Sequence, residues 1–578
     1  MQVGFSVNMN IPRQEYPRPQ FERRDWMNLN GLWQFEIDND ASGEARALYK
    51  EGVPLCGTIN VPFCPESKLS GVEHKDFIKG VWYKRTINIP DTSGKIFIHF
   101  GAADYICRIY VNGTFAGEHK GGYISFSFDI SFLIRKGENE ICVYCSDDTL
   151  SPLIPSGKQS DKYESYGCLY TRTTGIWQTV WLEFIPEEYI EWVKYYPNVN
   201  DSSITITALL NGTGAFSADI FYDDEPVGSY ITNSASGVIS FTVKLSRKEL
   251  WEVGKGRLYD VKFKFGKDDV KSYFGLRSVR IDGKKLLINN KAVFGRWVLD
   301  QGFYPDGIYT APSDEALEND IKLSMAVGFN GARLHEKIFE GRFLYHADRH
   351  GYIVWGEYPD WGMDHTNPAS VYSILPEWTE EIKRDFNHPA IIGWCPHNET
   401  WAPNCPKAER NKTQYDDAIL LLYEMTKKLD PTRPCIDTSG GYHVKTDVYC
   451  VHDYEQNPAV FKPRYDKLAS DGELYDPFPD KESYNGEACF VSEYGGASMS
   501  TENGWGYGAT PLSEEEFIAR FKGLTEALLN NPSMIGLCYT QLTDIEQEQN
   551  GLYTYDRKPK FDTEALRKIM SAKAAIEE

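Results

Sequence analysis

At 578 residues the chain is too long for one compact core, and at roughly one domain per 100 to 200 residues it divides into three or four units, with three as the working number. A composition of 41% hydrophobic and 14% aromatic residues is that of a folded globular protein. The formal charge of −22, spread along the chain, argues against nucleic acid and anionic membranes as partners.

The first residues, Met1 to Asn10, show no basic segment followed by an apolar run, and no stretch approaches the length of a membrane span. The expectation is a cytoplasmic protein without an export signal. Twelve cysteines, among them Cys142/Cys145 and Cys395/Cys405, are irregularly spaced and lack the paired pattern with trailing histidines of a metal site. Reduced thiols and no metal are expected.

Residues 1–185 are read as one β-sandwich. Short apolar and aromatic runs such as Lys95 to Gly101, Ile106 to Gly113 and Glu140 to Cys145 alternate with turn signals, of which Asn112-Gly113 is a strong hairpin pair and Lys136 to Asn139 another. From 186 to 279 the strands become polar and alternating, as in Ser203 to Leu209 and Tyr259 to Phe265, which fits a smaller immunoglobulin-like sandwich acting as a spacer. From 280 to 578, helical stretches (Ser313 to Val327, Thr413 to Leu429, Ser513 to Asn530) sit between short apolar strands, the alternation of a (β/α)8 barrel. In that fold, catalytic groups sit at the C-terminal ends of strands.

Two apolar runs end on a carboxylate, Ala390 to Glu399 and Ala488 to Glu493. Read alone, each glutamate is as compatible with a solvated loop or a structural ion pair as with catalysis. Together they suit glycoside cleavage, in which one carboxylic acid protonates the leaving oxygen and a second carboxylate works at the anomeric carbon.

The sequence resembles glycoside hydrolase family 2, the β-galactosidases, β-glucuronidases and β-mannosidases, over nearly its whole length. Arg384 to Trp394 leading into Asn398-Glu399 is similar to the family's acid/base signature, and Ser492-Glu493-Tyr494-Gly495 to its nucleophile strand. Further matches fall in the family's order: Leu29 to Trp33, Gly80 to Tyr83, Val111 to Gly113, Gly121 to Tyr123, Gly137 to Asn139, Thr174 to Trp177, then Gly328 to Arg333 and Ala347 to Glu357. The resemblance implies an N-terminal jelly roll, an immunoglobulin-like domain and a TIM barrel, Glu399 as acid/base and Glu493 as nucleophile, with Asn398 donating to the sugar 2-hydroxyl and Arg333 approaching the nucleophile. It also implies no cofactor and a dimer or tetramer. Tyr454, in Val451 to Tyr454, is a candidate partner of the nucleophile and His452 a candidate lining of the glycone pocket, with a core or loop role as the alternative for both. Asp300, ending Trp297 to Asp300, is a candidate either for a ring hydroxyl or for a cap or turn.

The resemblance breaks in three places. Arg333-Leu334-His335-Glu336-Lys337-Ile338 replaces the family's Arg-Thr-Ser-His-Tyr-Pro, which brings His335 into the expected pocket. Thr540 stands where many relatives carry a tryptophan. Gln549-Asn550-Gly551-Leu552 precedes Thr554 to Pro559 without the Asn-x-Lys by which related glucuronidases hold the substrate carboxylate. A uronic acid would then need another cation, for which Lys337, Arg172 and Arg296 are the candidates. The expectation is a retaining exo-β-glycosidase acting on a neutral sugar, galactoside by default. A β-glucuronidase, β-galacturonidase or arabinosidase is the alternative, and a degenerate carbohydrate-binding protein the reading from another class.

Overall fold

The computed structural model describes residues 11–400, 414–477, 484–500 and 504–577. Met1 to Asn10, Cys405 and Thr413 lie outside the described residues.

The first unit packs two antiparallel sheets over one core. One runs in the order Phe126–Asp129, Lys95–Phe100, Val180–Ile185, Trp26–Asn28, and the other in the order Gly57–Val61, Gly31–Ile37, Gly80–Ile89, Gly137–Ser146, Ile106–Val111, Thr114–Lys120. Inward residues from both, including Trp33, Tyr83, Ile98, Ile109 and Val143, are buried together. Asn112 and Gly113 turn the last hairpin with φ of 51° and 76°, the positive values that a two-residue turn matched to strand twist requires.

In the second unit the strands join into a single six-stranded sheet around one core. Two 20-residue strands, Ser203–Tyr222 and Glu225–Lys244, make this possible. Register shifts near Leu210/Thr213 and Gly214/Phe216 let the first half of Ser203–Tyr222 pair with Tyr189–Asn198 and its second half with Tyr259–Phe265. Glu22–Arg23, expected within the first unit, adds an edge strand here by pairing with Asp268–Phe274. Arg23 explains the placement: its buried guanidinium bonds both Asp268 of this sheet and Glu183 of the first unit.

The third unit is built on seven parallel strands: β1 (Gly295–Asp300), β2 (Gly331–Leu334), β3 (Ile353–Glu357), β4 (Ile391–Cys395), β5 (Val448–Asp453), β6 (Ala488–Tyr494) and β7 (Met534–Tyr539), in the order β4-β3-β2-β1-β7-β6-β5. Residues 434–439 fill the remaining gap. Ile436 N–H donates to Trp394 O at 2.9 Å and Ser439 N–H to His397 O at 2.8 Å, while Cys450 on the other side reaches Thr438 O through its thiol. Eight parallel segments thus surround a core with Trp297, Trp355 and Phe490 at its centre, the TIM barrel arrangement.

Helices α1 (Asp314–Val327), α2 (Gly341–His350), α3 (Val371–Asp385), α4 (Asp416–Leu429), α5 (Pro458–Ser470), α6 (Glu514–Leu529) and α7 (Thr563–Met570) follow the strands. Ser313 and Ser513 cap α1 and α6, each accepting a hydrogen bond from the N–H three residues on. Strand β4 stops at Cys395 rather than continuing to Glu399, because Pro396 has no N–H to extend the ladder.

The first unit also reaches the barrel. Its loop between Gly137–Ser146 and Gly175–Ile176 crosses the C-terminal ends of the barrel strands. Ser156 and Gly157 donate to Trp361 O at 2.9 and 3.1 Å, Asp364 donates to Pro152 O at 2.7 Å, and Trp505 Nε1 donates to Gly167 O at 2.5 Å.

Candidate active site

A cluster of buried polar side chains occupies the C-terminal ends of the strands. Glu493, next to last in β6, is 5% exposed. Its Oε1 accepts from Arg333 Nη1 at 3.1 Å and lies 3.4 Å from His452 Nε2, while its Oε2 accepts from the Tyr454 hydroxyl. The Tyr454 ring is fixed by stacking on Tyr507, with centroids 3.4 Å apart.

Arg333, on β2 and wholly buried, is the hub. It donates to Glu357 Oε2 through Nε and Nη2 (3.1 and 2.8 Å), to Ser492 O (2.8 Å) and to Asn398 Oδ1 (3.1 Å), besides Glu493. Glu357 closes β3 and also meets His335 Nδ1 at 2.7 Å. Burial by itself would raise the Glu493 carboxyl. His452, His335 and Arg333 outweigh that effect, against the opposing charge of Glu399, and hold it below the ordinary carboxylate range. Burial keeps His335 itself well below its usual value, whereas Arg333 is held well above its own and stays a cation beside Glu493 at any ordinary pH.

Glu399 follows β4 by four residues with φ of 47°, a left-handed conformation that costs a non-glycine residue about 1–2 kcal/mol. Its N–H donates to Ser439 O at 2.8 Å, which holds it there. Its Oε1 lies 2.7 Å from His452 Nδ1. Carboxylate oxygens of Glu399 and Glu493 and a ring nitrogen of His452 all fall within 4.8 Å of one another. This trio is also the closest approach to a metal donor set among the described residues. Arg333 and Tyr454 already occupy Glu493, and a fixed positive charge beside the carboxylate disfavours a cation there.

Asn398 gives Oδ1 to Arg333, its N–H to Asp360 Oδ1 (2.8 Å) and its carbonyl to the Trp361 indole (3.0 Å). With Oδ1 committed, the amide orientation leaves Nδ2 as its outward donor. Asp300 ends β1, and its carboxylate accepts from Gly302 N–H at 3.0 Å, a turn role. Burial and the nearby Asp320 raise it to about 7.

The three cations considered for an anionic sugar are committed elsewhere. Lys337 Nζ is bound by Gly302 O and Tyr309 O, and burial lowers it to about 7. Arg172 serves the carbonyls of Ser160, Lys162, Lys75 and Tyr163. Arg296 lies at the start of β1, bound to Met570 O, Ala572 O and Glu577, away from the catalytic end.

Residues of the site that sequence reasoning missed are Glu357, Asp360, Trp361 and Lys158. Glu357 had a signal, since Ile353 to Glu357 is a buried apolar run ending on a carboxylate, the same rule that marked Glu493. Lys158, in the loop from the first unit, had none.

Residues 26–155 match the profile described as glycosyl hydrolases family 2, sugar binding domain, and residues 279–505 match the family 2 TIM barrel domain, together more than half of the chain. The chain belongs to glycoside hydrolase family 2. Its relatives include the β-glucuronidase of Felis catus, 25% identical over 492 residues and covering 76% of this chain and 73% of that protein. The β-galactosidase of Thermoanaerobacter pseudethanolicus is also 25% identical, over 75% of this chain and 58% of that one. Among solved structures, a β-glucuronidase from an uncultured Clostridium species superposes with a TM-score of 0.78 at 21% identity, over 96% of this chain and 99% of that one, a likeness of fold. This chain is therefore a multidomain glycoside hydrolase.

Proposed function

We propose that this glycoside hydrolase removes a terminal β-linked sugar with retention of configuration, with Glu493 as nucleophile and Glu399 as acid/base. The observation that carries the reading is the approach of the two carboxylates within 4.8 Å, near the separation of about 5–5.5 Å that suits direct attack and short of the 6.5–9.5 Å that leaves room for a water between them. Their environments differ as the reaction needs. Glu493 is held below the ordinary carboxylate range by His452, His335 and Arg333, while Glu399 lies against His452 in a hydrogen bond able to carry one proton.

In the first step Glu493 attacks the anomeric carbon as the bond to the aglycone oxygen breaks, and the proton of Glu399 passes to that oxygen. In the second, Glu399 takes a proton from water, the resulting oxygen attacks the anomeric carbon from the vacated face, and Glu493 leaves as a carboxylate. With Oδ1 taken by Arg333, Asn398 keeps Nδ2 as the donor for the 2-hydroxyl. Trp361, bonded to the Asn398 carbonyl, and Tyr507, stacked on Tyr454, border the site beside the first unit's loop.

The test separates the two glutamates by leaving group. Dinitrophenol needs no proton to depart, so Glu399→Ala should form the glycosyl-enzyme rapidly from a dinitrophenyl β-glycoside and stall there, giving a burst. Glu493→Gln should lose turnover of every aryl glycoside by roughly 10⁴-fold or more with no burst. Wild-type rates in either variant would overturn the assignment. Binding without turnover by the intact protein across a panel of β-glycosides would favour a lectin-like role.

A further inference from the structure

Lys158 is a charged residue of the site that the mechanism leaves unused. It is 4% exposed, and its Nζ stands 3.3 Å from the centroid of the Trp361 ring. Among the described residues no acceptor and no ion-pair oxygen is recorded for that ammonium, its recorded contact being the aromatic face. Trp361 in turn donates to the carbonyl of Asn398, so the charge sits one indole ring away from the residue that precedes Glu399.

The loop is built to deliver it. Gly157 has φ of 55°, and a Cβ there would come within 2.8 Å of Glu336 O, so the backbone approaches the barrel closely only with glycine at this position. Burial would strip the Lys158 proton, but Cys168 and the carboxyls of Glu336, Glu493 and Glu548 outweigh that and keep it an ammonium. Its charge is felt in turn by His335 and Glu548.

None of those carboxyls is seated on it. Glu493 is engaged by Arg333 and Tyr454. Glu548 spends its oxygens on the Tyr170 hydroxyl and Asn550 Nδ2, and burial raises it. Burial and Asp360 raise Glu336 well above the ordinary range. The ammonium therefore keeps its charge without a carboxylate oxygen bonded to it, and a ligand anion would supply that partner. Asn550, in the segment that lacks the lysine of related glucuronidases, is fully buried and locked between Glu548 and Gln541.

We propose that Lys158, delivered by the first unit's loop, is the residue that recognises the carboxylate of a β-linked hexuronic acid in the glycone pocket. The substrate class is thereby a β-hexuronide rather than a neutral hexoside. This rests on the exo-β-glycosidase reading and narrows it.

The test compares wild type and Lys158→Met on nitrophenyl β-glucuronide, β-galacturonide, β-galactoside and a 6-sulfated β-hexoside. Wild type should favour one of the two uronides. The variant should lose kcat/KM on it by roughly 10- to 100-fold, chiefly through KM, since a hydrogen bond to a charged group is worth about 1.5–3 kcal/mol. Its slow turnover of the neutral glycoside should stay within a few-fold, which also reports that the variant is folded. If Lys158→Met does not fold, Lys158→Gln is read in the same way. Equal losses on charged and neutral substrates would assign Lys158 to holding Trp361 and overturn the proposal. So would a wild-type preference for the neutral or the sulfated sugar, with the glycosidase reading left standing. Wild type inert on all four would overturn both.

Discussion

Replacing Arg333 by methionine is the sharpest probe of how the barrel's buried charges are organised. The guanidinium is wholly buried and makes five hydrogen bonds, to Glu357 twice, to Glu493, to Asn398 and to Ser492 O. Methionine keeps most of the volume but strands two carboxylates. Breaking a buried ion pair by removing one partner costs about 3–5 kcal/mol, and protonation of Glu357, already raised by burial, would recover part of it. A net loss of about 2–4 kcal/mol is expected at pH 7. The sign with pH follows from Glu493. Its folded pKa is lowered, so it contributes stability that is present above its unfolded value near 4.3 and lost as pH falls through the folded one. Arg333→Met removes that contribution, so the gap between variant and wild type should be wide at pH 7 and narrow toward pH 3. Thermal unfolding from pH 3 to 8 measures this directly, and the acid limb of kcat/KM on an aryl glycoside should move upward as Glu493 becomes harder to ionise. A pH-independent difference, or an unmoved acid limb, would refute the view that Arg333 sets the charge of Glu493.

Tyr454→Phe removes the hydroxyl that donates to Glu493 Oε2 while the ring keeps its stack on Tyr507. Turnover should fall by roughly 10- to 100-fold with little change in melting temperature, and an unchanged rate would exclude a role for that bond. Asp348→Ala tests the joint between the second unit and the barrel, because this fully buried carboxylate accepts from the Tyr273 hydroxyl, from Ala390 N–H and from His388. A loss of about 3 kcal/mol or more in chemical denaturation is expected, and a change under 1 kcal/mol would show that the joint is held by packing alone.

Most strands of the barrel, and the positions of two of its carboxylates, were legible in the side-chain pattern alone. An apolar run with no polar face, such as Ala488 to Val491, is stable only as a strand covered on both sides, and its first polar residue then emerges at the end of the barrel. That rule marked Glu493 and Glu399, although the structure ends β4 at Cys395, where Pro396 halts the ladder, and leaves Glu399 four residues beyond it. It reached Glu357 as well, which passed unremarked inside a longer match. Turn and cap chemistry were equally local: Asn112-Gly113, Ser313 and Ser513 act through their own neighbours. The fate of cations was not local. Lys337, Arg172 and Arg296 read as free positive charges until their carbonyl and carboxylate partners were in view, and His452 read as a pocket lining until it lay between the two glutamates. Lys158 is the extreme case. It reaches the site through a loop of another unit, so its position follows from how two units pack and from a glycine that lets them approach. A strand's burial is written in its own side-chain pattern, whereas the partner of a charge is chosen by whatever the fold brings within about 3 Å.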